Sequence, residues 1–153
     1  MHRLELKIPP PLVFLACAGI AWALRALAPG LAFSRPWVSG VAASLAILGG
    51  AVAALAVSTV LRVGTTVHPH RPSRSTVVVT RGLYGFTRNP MYLGLALILT
   101  SFSLWLAHPL SLLSVPVFIA YITRFQIVPE ERALLAKFGE PYTEYLKSVR
   151  RWI

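Results

Sequence analysis

Aspartate is absent from this 153-residue chain, and only five glutamates stand against 15 lysines and arginines, giving a formal charge of +10. Charged residues of both signs make up 13% of the sequence, against 56% hydrophobic residues. Soluble domains carry about a quarter charged residues, so this composition excludes an ordinary water-soluble surface. Cys17 is the single cysteine, which rules out an internal disulfide and leaves a thiol that packs as a small hydrophobe. There is no Walker loop, no GxGxxG fingerprint and no nucleophile–base constellation. His68 and His70 are two residues apart with no third ligand in evidence, so no metal site is expected.

What is abundant is long apolar sequence. Four runs, at 10–28, 37–61, 91–107 and 110–128, approach the ~20 residues that cross a hydrocarbon core as a helix. The expected fold class is an all-α integral membrane protein with about four transmembrane helices, forming a single membrane domain over 1–153. Residues 1–61 hold the first two spans, 62–90 a cytoplasmic loop, 91–128 a helical hairpin, and 129–153 an amphipathic tail. The first run, with Arg3 and Lys7 ahead of it and Ala26 and Ala28 beyond, loosely imitates a signal peptide. Glu5 and the prolines at 9, 10 and 11 favour a helix start at an interface instead.

Charge orients the spans. With four crossings, all the lysines and arginines except Arg25 and Arg35 fall on one side, which the positive-inside rule makes cytoplasmic for both termini. Basic residues that flank spans favour anionic headgroups, and no nucleic-acid partner is expected. In the second run Ala42, Ala46, Gly50, Ala54 and Ser58 recur every four positions, a stripe where another helix can pack closely. His108-Pro109 is so short a link that the third and fourth runs must form an antiparallel hairpin, and Pro116 is expected to kink the fourth. The tail has helical periodicity through Leu134, Leu135, Phe138, Tyr142, Tyr145, Leu146 and Val149, divided by Gly139-Glu140-Pro141.

The hairpin brings its two open ends together. Arg88-Asn89-Pro90 precedes it, and Glu130-Glu131 follows it. On residue chemistry alone the glutamates fit the first turn of a helix started by Pro129, while Asn89 fits a helix cap. Carboxylates at an interface on a strongly positive protein also suit a cationic ligand.

The stretch "LYGFTRNPMYLG", followed after the hairpin by "RFQIVPEERALLAKFGEPYTEYLKSVRRW", resembles the isoprenylcysteine carboxyl methyltransferase and phospholipid methyltransferase family over about residues 62–153. That resemblance implies a membrane enzyme using S-adenosyl-L-methionine. It implies cofactor contacts at Val78, Val79, Gly82, Tyr84, Asn89, Pro90, Tyr92, Glu130 and Glu131. It further implies catalytic roles for Arg88, Asn89 and Arg124, and acceptor contacts at Arg124 and Gln126. The chain departs from the family in having Gly82-Leu83-Tyr84-Gly85 where many relatives have Gly-Pro-Tyr-Arg, and in having Asn89 where eukaryotic members have histidine. Asn89 is therefore not an obligatory proton carrier, and His68 is a weak substitute. The expected acceptor is a small lipophilic or lipid-anchored molecule from the bilayer; the alternative is a membrane scaffold that keeps the fold without the chemistry.

Overall fold

The computed structural model describes residues 5–33, 36–63 and 77–153, so His68, His70 and most of the 62–90 loop lie outside the described residues. Six α-helices are present among them: α1 (Pro10–Leu27), α2 (Pro36–Arg62), α3 (Pro90–Trp105), α4 (Ser114–Ile122), α5 (Val128–Phe138) and α6 (Glu140–Ser148). The described residues contain no β-strand, only an isolated parallel bridge between Thr87 and Arg150.

A 3-10 turn (Pro109–Leu113) and a π turn (Thr123–Ile127) join α4 to its neighbours, so that Pro109–Phe138 is one helical rod of 30 residues. This rod, α1 and α2 are long and apolar enough to cross a membrane. Helix α3 has 16 residues and rises about 24 Å, short of the ~30 Å hydrocarbon thickness. Leu15, Trp22, Ile47 and Leu55 project outward from α1 and α2, an apolar surface suited to lipid.

Prolines open α1, α2 and α3, where a missing N–H leaves no helical bond unmade. Pro116, expected to kink the fourth run, lies in the first turn of α4, just after the 3-10 turn, where its missing N–H removes no bond within α4. Pro129 is the second residue of α5, with Glu130 and Glu131 in the first turn as its reading as a helix start expects, and the π turn runs into it without a break. Its absent N–H releases the carbonyl four residues back, that of Phe125, and this carbonyl accepts the Leu6 N–H at 3.0 Å. The π turn just before Pro129 thereby becomes the docking point of the N-terminal segment.

Helix α2 lies antiparallel on α3. Ser101 Oγ donates to the Ala42 carbonyl at 2.6 Å, and a Cβ placed on Gly94 would lie 2.7 Å from the Gly49 carbonyl oxygen and 2.8 Å from Ala53 Cβ. Of the five small residues in the expected stripe only Ala42 is buried; the packed face runs through Val38, Ala42, Gly49, Ala56 and Val60. Steps of four advance about 400° around a helix with 3.6 residues per turn, so an i+4 stripe rotates steadily off a straight contact. Steps alternating near 3.5 residues stay on it.

Helix α1 runs antiparallel to the rod. Gln126 Nε2 donates to the Ile8 carbonyl at 2.6 Å, Ser111 Oγ to Ala21 at 2.7 Å, and His108 Nε2 lies 2.9 Å from the Ala28 carbonyl. His108 is thus a buried tie at one end of the bundle, beside the Arg25 bond to the Leu106 carbonyl. Between them Phe118, Leu99, Ile122 and Ile127 form the core, with Tyr92 at its other end.

Candidate functional site

The end opposite His108 collects the polar segments. Val78 and Val79 are half-buried and lead into a 3-10 turn, Gly82–Gly85, that begins with Gly82 at φ 62, a left-handed conformation suited to glycine. Thr87 is buried, and its Oγ1 accepts the Asn89 N–H at 3.2 Å. Asn89 occupies the cap position of α3 without a side-chain cap bond. Its amide nitrogen donates instead to the Arg151 carbonyl at 2.9 Å, and Thr87 Oγ1 donates to the same oxygen at 3.2 Å. Pro90 fixes the first turn of α3, which places buried Tyr92 facing α5.

The two glutamates have different surroundings. Glu131 is held by two arginines: Arg151 makes a fork, Nη2 to Oε2 at 2.7 Å and Nε to Oε1 at 3.1 Å, and Arg88 Nη1 lies 3.2 Å from Oε1. Glu130 accepts a 2.6 Å hydrogen bond from the Tyr92 hydroxyl, and among the described residues no basic side chain pairs with it. Adjacent residues point about 100° apart on a helix, which lets one face the arginines and the other the tyrosine. Arg88 is nearly buried, and its Nε has no partner among the described residues.

Aromatic residues surround this cluster. Tyr145 Oη donates to the Tyr84 carbonyl at 2.7 Å, tying α6 to the 82–85 turn. Burial pushes the Tyr145 phenol up to about 12 against the opposing pull of the Arg88 cation, so it remains a neutral donor. Burial likewise raises the phenols of Tyr84 and Tyr142, with Glu130 and Glu131 adding to the effect. The Glu131 hydrogen bonds raise Arg151 above its ordinary range, keeping it cationic.

Arg124 and Gln126 lie on the π turn and make other contacts. Arg124, half exposed, pairs with Glu5 at 3.1 Å, and Arg132 pairs with the same carboxylate at 2.8 Å. Gln126 is buried, bound to Ile8 through Nε2, with Oε1 unpartnered among the described residues. Among the described residues no hydrogen bond or ion pair joins these two to the Glu131 cluster. The structure therefore brings together Arg88, Asn89, Tyr92, Glu130 and Glu131, with Tyr84 one contact removed. Sequence reasoning missed Thr87, Arg151 and Trp152. Arg150-Arg151-Trp152 reads as an ordinary basic tail; the available signal was the pair of adjacent glutamates, one of which needs a cation.

An all-helical membrane bundle with an acidic–basic cluster at one end defines the class of protein. The phospholipid methyltransferase family profile matches residues 37–141, and the chain belongs to that family. An uncharacterized protein of Haemophilus influenzae (strain ATCC 51907 / DSM 11121 / KW20 / Rd) is 49% identical over 63 residues, covering 41% of this chain and the whole of that protein. The structure of the eukaryotic intramembrane Ras methyltransferase, isoprenylcysteine carboxyl methyltransferase, matches with a TM-score of 0.69 at 23% identity. That match covers 96% of this chain, which spans 54% of the length of the eukaryotic one, and it establishes a shared fold.

Proposed function

We propose that this protein is an S-adenosyl-L-methionine-dependent membrane methyltransferase acting on a small lipophilic or lipid-anchored acceptor. One observation carries the reading. At the end of the hairpin, two groups stand unused among the described residues: the Glu130 carboxyl, without a cation, and the Nε–H of Arg88, whose guanidinium meets Glu131 only through Nη1. The amino-acid end of S-adenosyl-L-methionine carries an ammonium and a carboxylate, the complementary pair. These residues fit the group.

In this reading Glu130, steadied by Tyr92, receives the ammonium, and Arg88, steadied by Glu131, receives the carboxylate. Val78, Val79, Gly82, Tyr84 and Pro90 form the remaining wall, and Asn89 orients it through the Arg151 carbonyl. When bound, the cofactor supplies an electrophilic methyl group on a sulfonium. The chain's own work is alignment and exclusion of water, for which buried Tyr92, Tyr142 and Tyr145 are suited. A carboxylate or thiolate acceptor needs no general base, and Asn89 offers none. Arg124 and Gln126 border the acceptor's side in this proposal, Gln126 Oε1 being an unused acceptor among the described residues. The basic residues around the site support a cytoplasmic orientation for it and for both termini.

The test is calorimetric titration of detergent-purified protein with S-adenosyl-L-methionine and S-adenosylhomocysteine, followed by methyl transfer from labelled cofactor to prenylcysteine, thiol and phospholipid-amine acceptors. Saturable binding and transfer to one acceptor class are expected. A folded protein that binds neither compound is a scaffold, and the proposal fails.

A further inference from the structure

After α6 the chain turns extended at Val149 (φ -123, ψ 135) and passes between the 84–89 segment and α5. Its contacts converge on the site. The Arg150 carbonyl accepts the Arg88 N–H at 2.9 Å, and the Arg151 carbonyl accepts both Thr87 and Asn89 side chains. The Arg151 guanidinium forks onto Glu131, and the Trp152 indole N–H donates to Thr123 Oγ1 at 3.1 Å on the π turn. Without this segment, the only described polar contact between the Arg88 side and Glu131 is the single 3.2 Å pair.

From this convergence we infer that residues 149–152 form a strap that assembles the site, and that Arg151 is a positioning residue acting through Glu131 and Asn89. The side-chain fork sets the rotamer of Glu131, which in turn holds Arg88; the carbonyl sets Asn89 at the entry of α3. Arg151 is 38% exposed, so the ion pair adds little to global stability, and its effect falls on local geometry. Planarity matters to that effect, because lysine supplies the charge without the fork.

The affinity arm of the test rests on the cofactor reading above; the exchange arm does not. Full-length protein in nanodiscs is compared with Arg151→Ala, Arg151→Lys and Trp152→Phe by hydrogen exchange and by S-adenosylhomocysteine titration. In Arg151→Ala, amide exchange across 84–92 is expected to rise about tenfold while α2 and the core of α3 keep wild-type protection. Affinity is expected to fall about tenfold, with Arg151→Lys recovering only part of it. The Glu131→Gln/Arg151→Ala pair should bind no more weakly than Glu131→Gln alone, since one acts through the other. Trp152→Phe keeps an aromatic, though smaller, ring and removes the donor, so it reports the strap even where Arg151→Ala folds poorly; faster exchange at 84–92 is expected there too. Unchanged exchange at 84–92 in both variants overturns the strap, and additive affinity losses overturn the route through Glu131. Wild-type protein that binds no S-adenosylhomocysteine removes the cofactor reading, and exchange alone then decides the strap.

Discussion

Replacing Glu130 with glutamine changes charge at almost constant shape, and the structure fixes what else it changes. The Tyr92 hydroxyl donates to Glu130 Oε1 at 2.6 Å, and the amide oxygen of glutamine can accept the same bond. No described basic side chain loses a partner. In the ligand-free protein the Glu130 carboxyl has no cation among the described residues and burial penalises its ionised form, so the substitution should leave the thermal midpoint unchanged or raise it. Ligand binding moves the other way. A hydrogen bond to a charged group contributes about 1.5–3 kcal/mol, and the variant keeps at best a neutral one. At about 1.4 kcal/mol per decade, the affinity should fall about 10- to 150-fold.

Titration with both S-adenosyl-L-methionine and S-adenosylhomocysteine sharpens this. The two share the ammonium and differ at sulfur, so a carboxylate on the ammonium gives equal losses. A larger loss for S-adenosyl-L-methionine would move Glu130 to the sulfonium. Dissociation constants within about twofold of wild type for both ligands, in a folded Glu130→Gln protein, would refute the reasoning.

Glu131→Gln should show the opposite balance, because it strips the anion from Arg88 and Arg151 together. Breaking a fully buried pair costs about 3–5 kcal/mol; the Arg88–Glu131 pair is nearly buried while the exposed Arg151 adds little, so a loss of about 1–3 kcal/mol in thermal or denaturant unfolding is expected. A Glu131→Gln protein as stable as wild type would contradict the assignment of Glu131 as the ion-pair centre. Gly94→Ala places a methyl against the Gly49 carbonyl and Ala53 at under 3 Å, and should destabilise the α2–α3 contact by about 1–3 kcal/mol. Gly19→Ala meets nothing within 4 Å and serves as the neutral control; equal stability of the two variants would exclude close packing at Gly94.

Much of the fold is written in local pattern. The runs at 10–28 and 37–61 become Pro10–Leu27 and Pro36–Arg62, and Gly139, at φ 60, divides the tail where glycine and proline mark it. The site residues Arg88, Asn89, Tyr92, Glu130 and Glu131 converge because a two-residue link forces the hairpin. What escaped depends on three-dimensional partners. The freed Phe125 carbonyl finds Leu6, more than a hundred residues away, so Pro129 is the helix start that the sequence marks and also a docking point that it does not. The unequal roles of adjacent glutamates follow from helix rotation against Tyr92 on one side and Arg151 on the other. Thr87 and Arg151 serve largely through hydroxyl and carbonyl contacts that no residue-type pattern announces.

The α2–α3 register bears on how one site can meet partners from two phases. Gly94 sits against Gly49 and Ala53, and Ser101 against Ala42, so the two helices run antiparallel in a fixed alignment. Carried to the start of α3 at Pro90, that alignment leaves the last two turns of α2, ending at Arg62, projecting beyond it by about 12 Å at 1.5 Å per residue. Tyr92 and the Glu130 it holds lie deeper still, one half-turn inside α3. A long α2 beside a short α3 thus sets the acidic–basic cluster back, along the helix axis, from the rim at the Arg62 end of α2. In the proposed reaction this recess is what permits a water-soluble cofactor to arrive from the rim and a lipophilic acceptor from the side. Lengthening α3 at its N-terminus would raise the cluster to the rim and weaken transfer to membrane-held acceptors before it weakened cofactor binding.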